Sequence, residues 1–245
     1  MRSLLLAALV LFSPSLAFAQ SDEQAGEPEA AGVETIDRVA VRWYSRDAGG
    51  VREPQFIFAR ELAFAARIEA LTDPIALPTA YSDKHVRSAI ERHITETVLA
   101  SLPVDPKPTP KQVATYAEAA RGHMLLLIGD GNAATGASEL DEARRAEGIT
   151  NEELDHLLRR RARASWYLDK TIAPMLRPSE LDLRDVHRRG ETPFTDQRFE
   201  DVEEQLRRWY TSTRLATALD RYFRNARTRI QMFVIAPPRP SRPGG

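Results

Sequence analysis

Five histidines, His85, His93, His123, His156 and His187, are the residues most able to carry acid-base or metal chemistry. Their spacing supports neither. No His-Glu-x-x-His pair occurs, and the chain has no cysteine, which excludes thiolate zinc sites, disulfide scaffolds and thiol enzymes. His93 falls near an apolar helical face and reads as a core histidine with a polar partner, while His123 continues a helical apolar period. Asp130 and Asn132 in Gly129-Asp-Gly-Asn have the oxygen chemistry of a calcium loop, but Ala134 stands at a ligand position and the turn glycine is missing. Ser138 lacks the second glycine of a nucleophile elbow and reads as a helix cap. The pairs Glu152-Glu153 and Glu203-Glu204 belong on solvated helical faces, not across a catalytic cleft. The run Arg159-Arg160-Arg161-Ala-Arg163 has the charge for phosphate, yet on a helix its guanidinia diverge, so a solvated face is the expectation.

Aromatic doublets are more informative. Trp166-Tyr167, Trp209-Tyr210 and Tyr222-Phe223 each place two rings about 100 degrees apart on a helix, so one apolar stripe cannot bury both. Trp166 and Tyr167 both lie away from the stripe made by Leu154, Leu157, Leu158, Leu168 and Ile172. Either a second helix covers them or they line a crevice, and exposed aromatic area marks protein-binding surface. Trp166, Tyr167, Tyr210 and Tyr222 are accordingly the candidate contact residues for a polypeptide ligand.

The elements that must position these rings lie in a chain of 245 residues with 34 Lys+Arg against 35 Asp+Glu. That balance lacks the basic excess of a nucleic-acid binder. Met1-Arg2-Ser3, the apolar run Leu4 to Phe12 and Ala17-Phe18-Ala19 predict a cleavable secretory signal over residues 1–19 and a periplasmic destination. No later run approaches the roughly 20 apolar residues of a membrane span, so no stable membrane anchor is expected. Residues 20–34 read as a flexible acidic leader, 35–235 as one folded domain, and 236–245 as a proline-rich disordered tail.

Within the folded part, Ile36 to Tyr44 alternates as a strand, and Ile230 to Ile235 does so again at the far end. Asp47-Ala-Gly-Gly-Val makes a turn, and Pro54 sits where a first helical turn tolerates it, opening a helix that ends at Asp73-Pro74. Ser82 caps a second helix; Thr109 to Gln112 and Thr150 to Glu153 are capping boxes for two more. Gly148 with Ile149 closes a short helix opened at Ser138, Ser179 to Arg189 forms another that Gly190 closes, and Pro174 ends the helix that starts at Thr150. Phe199 to Ile230 carries three-four apolar spacing through one helix of some 30 residues.

The order of Ile36-Asp-Arg-Val-Ala-Val, then Gly148-Ile-Thr-Asn-Glu-Glu-Leu-Asp-His-Leu-Leu with Trp166-Tyr-Leu-Asp-Lys, then Phe199-Glu-Asp-Val-Glu-Glu-Gln-Leu, resembles the N-terminal chaperone module of the SurA-like family. The resemblance implies a mainly α fold, with a long C-terminal helix and a short two-stranded β-ribbon made by the N- and C-terminal strands. It also implies a periplasmic, ATP-independent holdase for unfolded secreted or outer-membrane polypeptides, with no cofactor. The parvulin domain carried by many members has no room here, since Pro178 to Thr195 holds only a short helix and a turn. A related prolyl isomerase and a structural adaptor dedicated to one partner, including a possible homodimer along the long helix, are the competing expectations.

Overall fold

A computed structural model describes residues 37–74, 81–227 and 230–235, with side chains described outside 220–227. The expected leader and tail therefore lie outside the described residues. Two strands, β1 (Val39–Ser45) and β2 (Gly50–Phe58), open the fold. Seven α-helices follow: α1 (Ala59–Leu71), α2 (Asp83–Ser101), α3 (Pro110–Ile128), α4 (Ala133–Ala146), α5 (Asn151–Tyr167), α6 (Glu180–Arg188) and α7 (Phe199–Arg227). The chain ends its described course in β3 (Gln231–Val234). The fold is mainly helical with one small antiparallel sheet.

The first and last strands pair, Val41 opposite Val234 and Trp43 opposite Met232. The ribbon, however, has three strands, in the order β2-β1-β3. Residues 50–58, expected as a turn and the first helical turn, form β2, with Ile57 opposite Val41 and Gln55 opposite Trp43. Gly49 and Gly50, at φ 77 and 83, make the tight reversal that returns the chain along β1. Pro54, which suits a helical N-terminus, is equally acceptable here because β2 is an edge strand that needs no amide from it. The helix begins only at Ala59.

Helix boundaries follow the local chemistry closely. Thr109 Oγ1 accepts from the Gln112 amide while Gln112 Oε1 accepts the Thr109 amide at 2.8 Å, and Thr150 and Glu153 repeat the exchange. Each reciprocal pair satisfies two otherwise orphaned donors. At Ser82 the reaching-back group is His85 Nδ1, which accepts the Ser82 amide at 3.0 Å. Ser138 is not a cap. It lies inside α4, and Asn132 instead accepts from the amides of Ala134 and Thr135. The α3–α4 corner is tight, since a Cβ on Gly136 would stand 1.9 Å from the Leu125 carbonyl oxygen. At the other end of α4, Gly148 at φ 66 lets the Ile149 amide reach Arg144 O at 2.9 Å, and Ile149 is buried.

One apolar cluster joins the inner sheet face (Val41, Trp43, Ile57) to α1 and α2, and a second joins α1 to α3, α4 and α5 through Phe64, Ile68, Met124, Leu140 and Leu154. Trp43, Ile57, Leu62 and Val41 are fully buried, each worth about 1.5–3 kcal/mol or more of transfer free energy. Helix α5 runs on as a π-turn over Leu168–Ile172 and a 3-10 turn over Ala173–Leu176. Leu215 and Leu219 of α7 pack on that extension, while Phe199 and Leu206, nearer the start of α7, pack on Leu183 of α6.

Candidate functional site

The aromatic doublets separate once the helices are placed. Trp166 is 5% exposed, its Nε1 donates to Pro106 O at 3.3 Å, and Tyr116 meets its ring edge-on at 5.3 Å between centroids. The second apolar contact demanded by its helical position is therefore supplied by α3 and the loop before it. As a surface contact residue Trp166 is corrected: its ring is core. Tyr167 is half-buried against the cluster of Leu99, Ala164 and Leu215. Tyr210 is also half-buried, beside Leu206, with the Arg214 guanidinium 4.8 Å from its ring centre. The Tyr222 side chain lies outside the described residues. Tyr167 and Tyr210 pack in different clusters, the first with the end of α5 and the second with α6.

The expectation for the Arg159–Arg163 run is corrected in part: Arg159 and Arg163 are exposed as expected, whereas Arg160 and Arg161 are not. Arg160 and Arg161 turn inward, because α5 packs on α2 and brings two carboxylates, Glu61 of α1 and Glu96 of α2, within their reach. Arg160 Nη1 donates to Glu61 Oε1 at 2.8 Å, and Arg161 Nε donates to Glu96 Oε1 at 2.7 Å. Arg92 pairs with Glu69 at 2.6 Å. His93 Nδ1 lies 2.9 Å from Glu61 Oε1 and donates to it, the satisfied core histidine expected. Burial tends to raise the Glu61 carboxyl, but the His93 hydrogen bond and the Arg160 charge outweigh it and hold the group at about 2. Glu96 is likewise held down against its burial by Arg161 and Arg160. Burial lowers His93, favouring the neutral ring, and raises Glu69 in spite of Arg92.

A cavity of about 50 Å³ opens beside this network, lined by the polar Arg92, His93 and Glu96 and by the apolar Phe64, Met124 and Leu157 among others. It has room for water, not for a substrate. No hydroxyl or thiol nucleophile lines it, and among the described residues no His, Cys, Asp or Glu group is placed to hold a metal. With three carboxylates facing three guanidinia, the network is a brace across α1, α2 and α5. Its signal in the sequence was present but ambiguous: Glu61, Glu69, Arg92 and Glu96 occupy inward helical positions that periodicity would have filled with apolar residues.

Exposed apolar area concentrates elsewhere, on the outer face of the sheet. Phe56 of β2 and Phe233 of β3 stand opposite Arg42 of β1 in one cross-strand row. They are 42% and 48% exposed, and Phe58, two residues along β2, is 42% exposed. Tyr44 meets Phe233 edge-on at 6.5 Å, and the Arg42 guanidinium lies 5.3 Å from the Phe233 ring centre and 6.0 Å from that of Tyr44. A bulge at Ala40 turns the start of β1, so that Val39 stands opposite Phe58 while Ala40 and Val41 are both buried. Sequence reasoning misses this face because Pro54 and the residues after it also fit a helical start, which separates Phe56 and Phe58 from Phe233. Among the described residues, no helix is long and apolar enough to cross a membrane. Comparison with protein-family models, with curated proteins and with solved structures finds no match.

Proposed function

We propose that this chain is a non-enzymatic, ATP-independent periplasmic chaperone of the SurA-like kind, holding unfolded secreted or outer-membrane polypeptides. The observation that carries the reading is the outer sheet face, where Phe56, Phe58, Tyr44 and Phe233 present contiguous aromatic surface that the domain's own helices leave open. Such area costs solubility unless it meets apolar surface on a partner. Extended, unfolded segments suit it because they expose aromatic and aliphatic side chains and bind with low affinity per unit area. The predicted signal over residues 1–19 supports export, and the strand-helices-long helix-strand order supports the family resemblance.

Light scattering of a chemically unfolded outer-membrane β-barrel protein, diluted with and without the chain, tests the proposal. Suppression near stoichiometric ratio without nucleotide is expected, and Phe56→Ser with Phe233→Ser should weaken it at least severalfold while the far-ultraviolet circular dichroism stays unchanged. Unaltered aggregation of several unrelated clients sinks the reading.

A further inference from the structure

The outer sheet face ends at an open edge, and the chemistry of that edge narrows what binds there. The Ile235 amide donates to Ala40 O at 2.8 Å. Hydrogen-bonded positions alternate along an antiparallel ladder, so residues 231, 233 and 235 of the last strand face β1, and the amide and carbonyl groups of Met232 and Val234 face outward. Among the described residues no strand lies beyond β3. Val234 and Ile235 are 41% and 58% exposed, and no proline interrupts this edge. Next to it, the Arg42 guanidinium leans over Phe233, toward the edge, and among the described residues it contacts rings and no carboxylate.

We infer that the β3 edge captures an extended polypeptide segment as a fourth strand, selecting segments in which a carboxylate alternates with aromatic side chains on the face shared with Phe233 and Arg42. The added strand obtains backbone hydrogen bonds from Met232 and Val234, which are indifferent to sequence. Its carboxylate takes the place opposite Phe233, at the end of the row Phe56, Arg42, Phe233 and within reach of the one cation in that row, and its aromatics flank it on the same face. Charge complementarity thus supplies the selection: a basic residue at the same position faces Arg42 and is disfavoured. A second copy of this chain fits less well, since symmetric edge-to-edge pairing about Phe233 sets Phe233 against Phe233, with an Arg42 from each copy on the same face and no carboxylate in the row. This inference rests on the chaperone reading and names its client class.

The experiment is fluorescence anisotropy of the purified protein with two labelled seven-residue peptides. Both alternate threonine with three face residues, phenylalanine, a central charge and phenylalanine; one carries aspartate at the centre, the other lysine. The aspartate peptide is expected to bind about three- to fivefold tighter at low salt, the scale of a solvent-accessible ion pair. Arg42→Gln should abolish the preference and Arg42→Glu reverse it, while Phe233→Ser weakens both peptides. N-methylation of the aspartate peptide's edge-facing amides should remove most of its binding. Equal affinity for the two peptides, or a preference that survives Arg42→Gln, overturns the inference. Displacement of the aspartate peptide by an equimolar peptide of residues 20–34 overturns it too, assigning the edge to the chain's own N-terminal segment. So does a monomer-dimer equilibrium abolished by Phe233→Ser. Suppressed client scattering without peptide discrimination would leave the chaperone reading standing and remove this one; discrimination without suppression would do the reverse.

Discussion

Glu96→Gln is the most decisive test of how the helices are held together. Glu96 is 4% exposed at its side chain, with Oε1 2.7 Å from Arg161 Nε and Oε2 3.6 Å from Arg160 Nε. Glutamine keeps the shape and removes the charge, leaving the half-buried Arg161 guanidinium with only the more distant field of Glu69. Removing one member of a buried pair costs about 3–5 kcal/mol, most of it the stranded partner. Because Glu61 still holds Arg160 at 2.8 Å, the lower figure applies. At about 2–4 °C per kcal/mol for a domain of this size, the melting temperature should fall by roughly 10 °C. Urea unfolding followed by circular dichroism reads the loss directly, and Trp43 and Trp166, both buried, report it independently by fluorescence. A double-mutant cycle separates the pair from its stranded charge. Glu96→Met and Arg161→Met should each destabilise strongly, while the double variant, which buries no unpaired charge between these two positions, should return to within about 2 kcal/mol of the parent. A loss below about 1 kcal/mol for Glu96→Gln, or strict additivity in the cycle, would refute the idea that this network braces α1, α2 and α5.

Acidification should weaken the same region in two stages. His93 is depressed in the folded state, so below its ordinary value of 6.5 the unfolded chain binds more protons and stability falls. Glu61, held near 2 against an ordinary 4.5, contributes about 3 kcal/mol above pH 4.5 that is lost as pH drops through 2. Glu69, raised by burial, works in the opposite sense and softens the decline. Urea midpoints between pH 7 and 3 should show both stages, and Glu61→Gln should flatten the lower one. Two glycine substitutions should differ in sign: Gly136→Ala forces α4 off the Leu125 carbonyl and costs about 1–3 kcal/mol, whereas Gly122→Ala, with open space around it, gains up to about 1 kcal/mol in calorimetry. Trp166→Ala should cost about 3–5 kcal/mol of stability, because its ring is packed on Tyr116. Compared with Phe233→Ser, its effect on client binding at a temperature where both variants are folded should be small.

What the sequence determined by itself is what a few neighbouring residues decide. The Thr109–Gln112, Thr150–Glu153 and Ser179–Asp182 exchanges span three residues, so the starts of α3, α5 and α6 are legible without any partner. The same holds for the Gly148 and Gly190 stops and for the period that carries α7. The pairing of the two terminal strands was legible because each alternates and each needs a neighbour. Tertiary structure decided the rest. Pro54 satisfies a helix start and an edge strand equally, and only the ladder to β1 selects the strand. Arg160 reads as a solvated charge until Glu61, 99 residues away, is folded beneath it. Trp166 reads as a surface anchor until the chain around Pro106, 60 residues earlier, accepts its Nε1 proton. In each case the local chemistry allowed two states, and a contact distant in sequence chose between them.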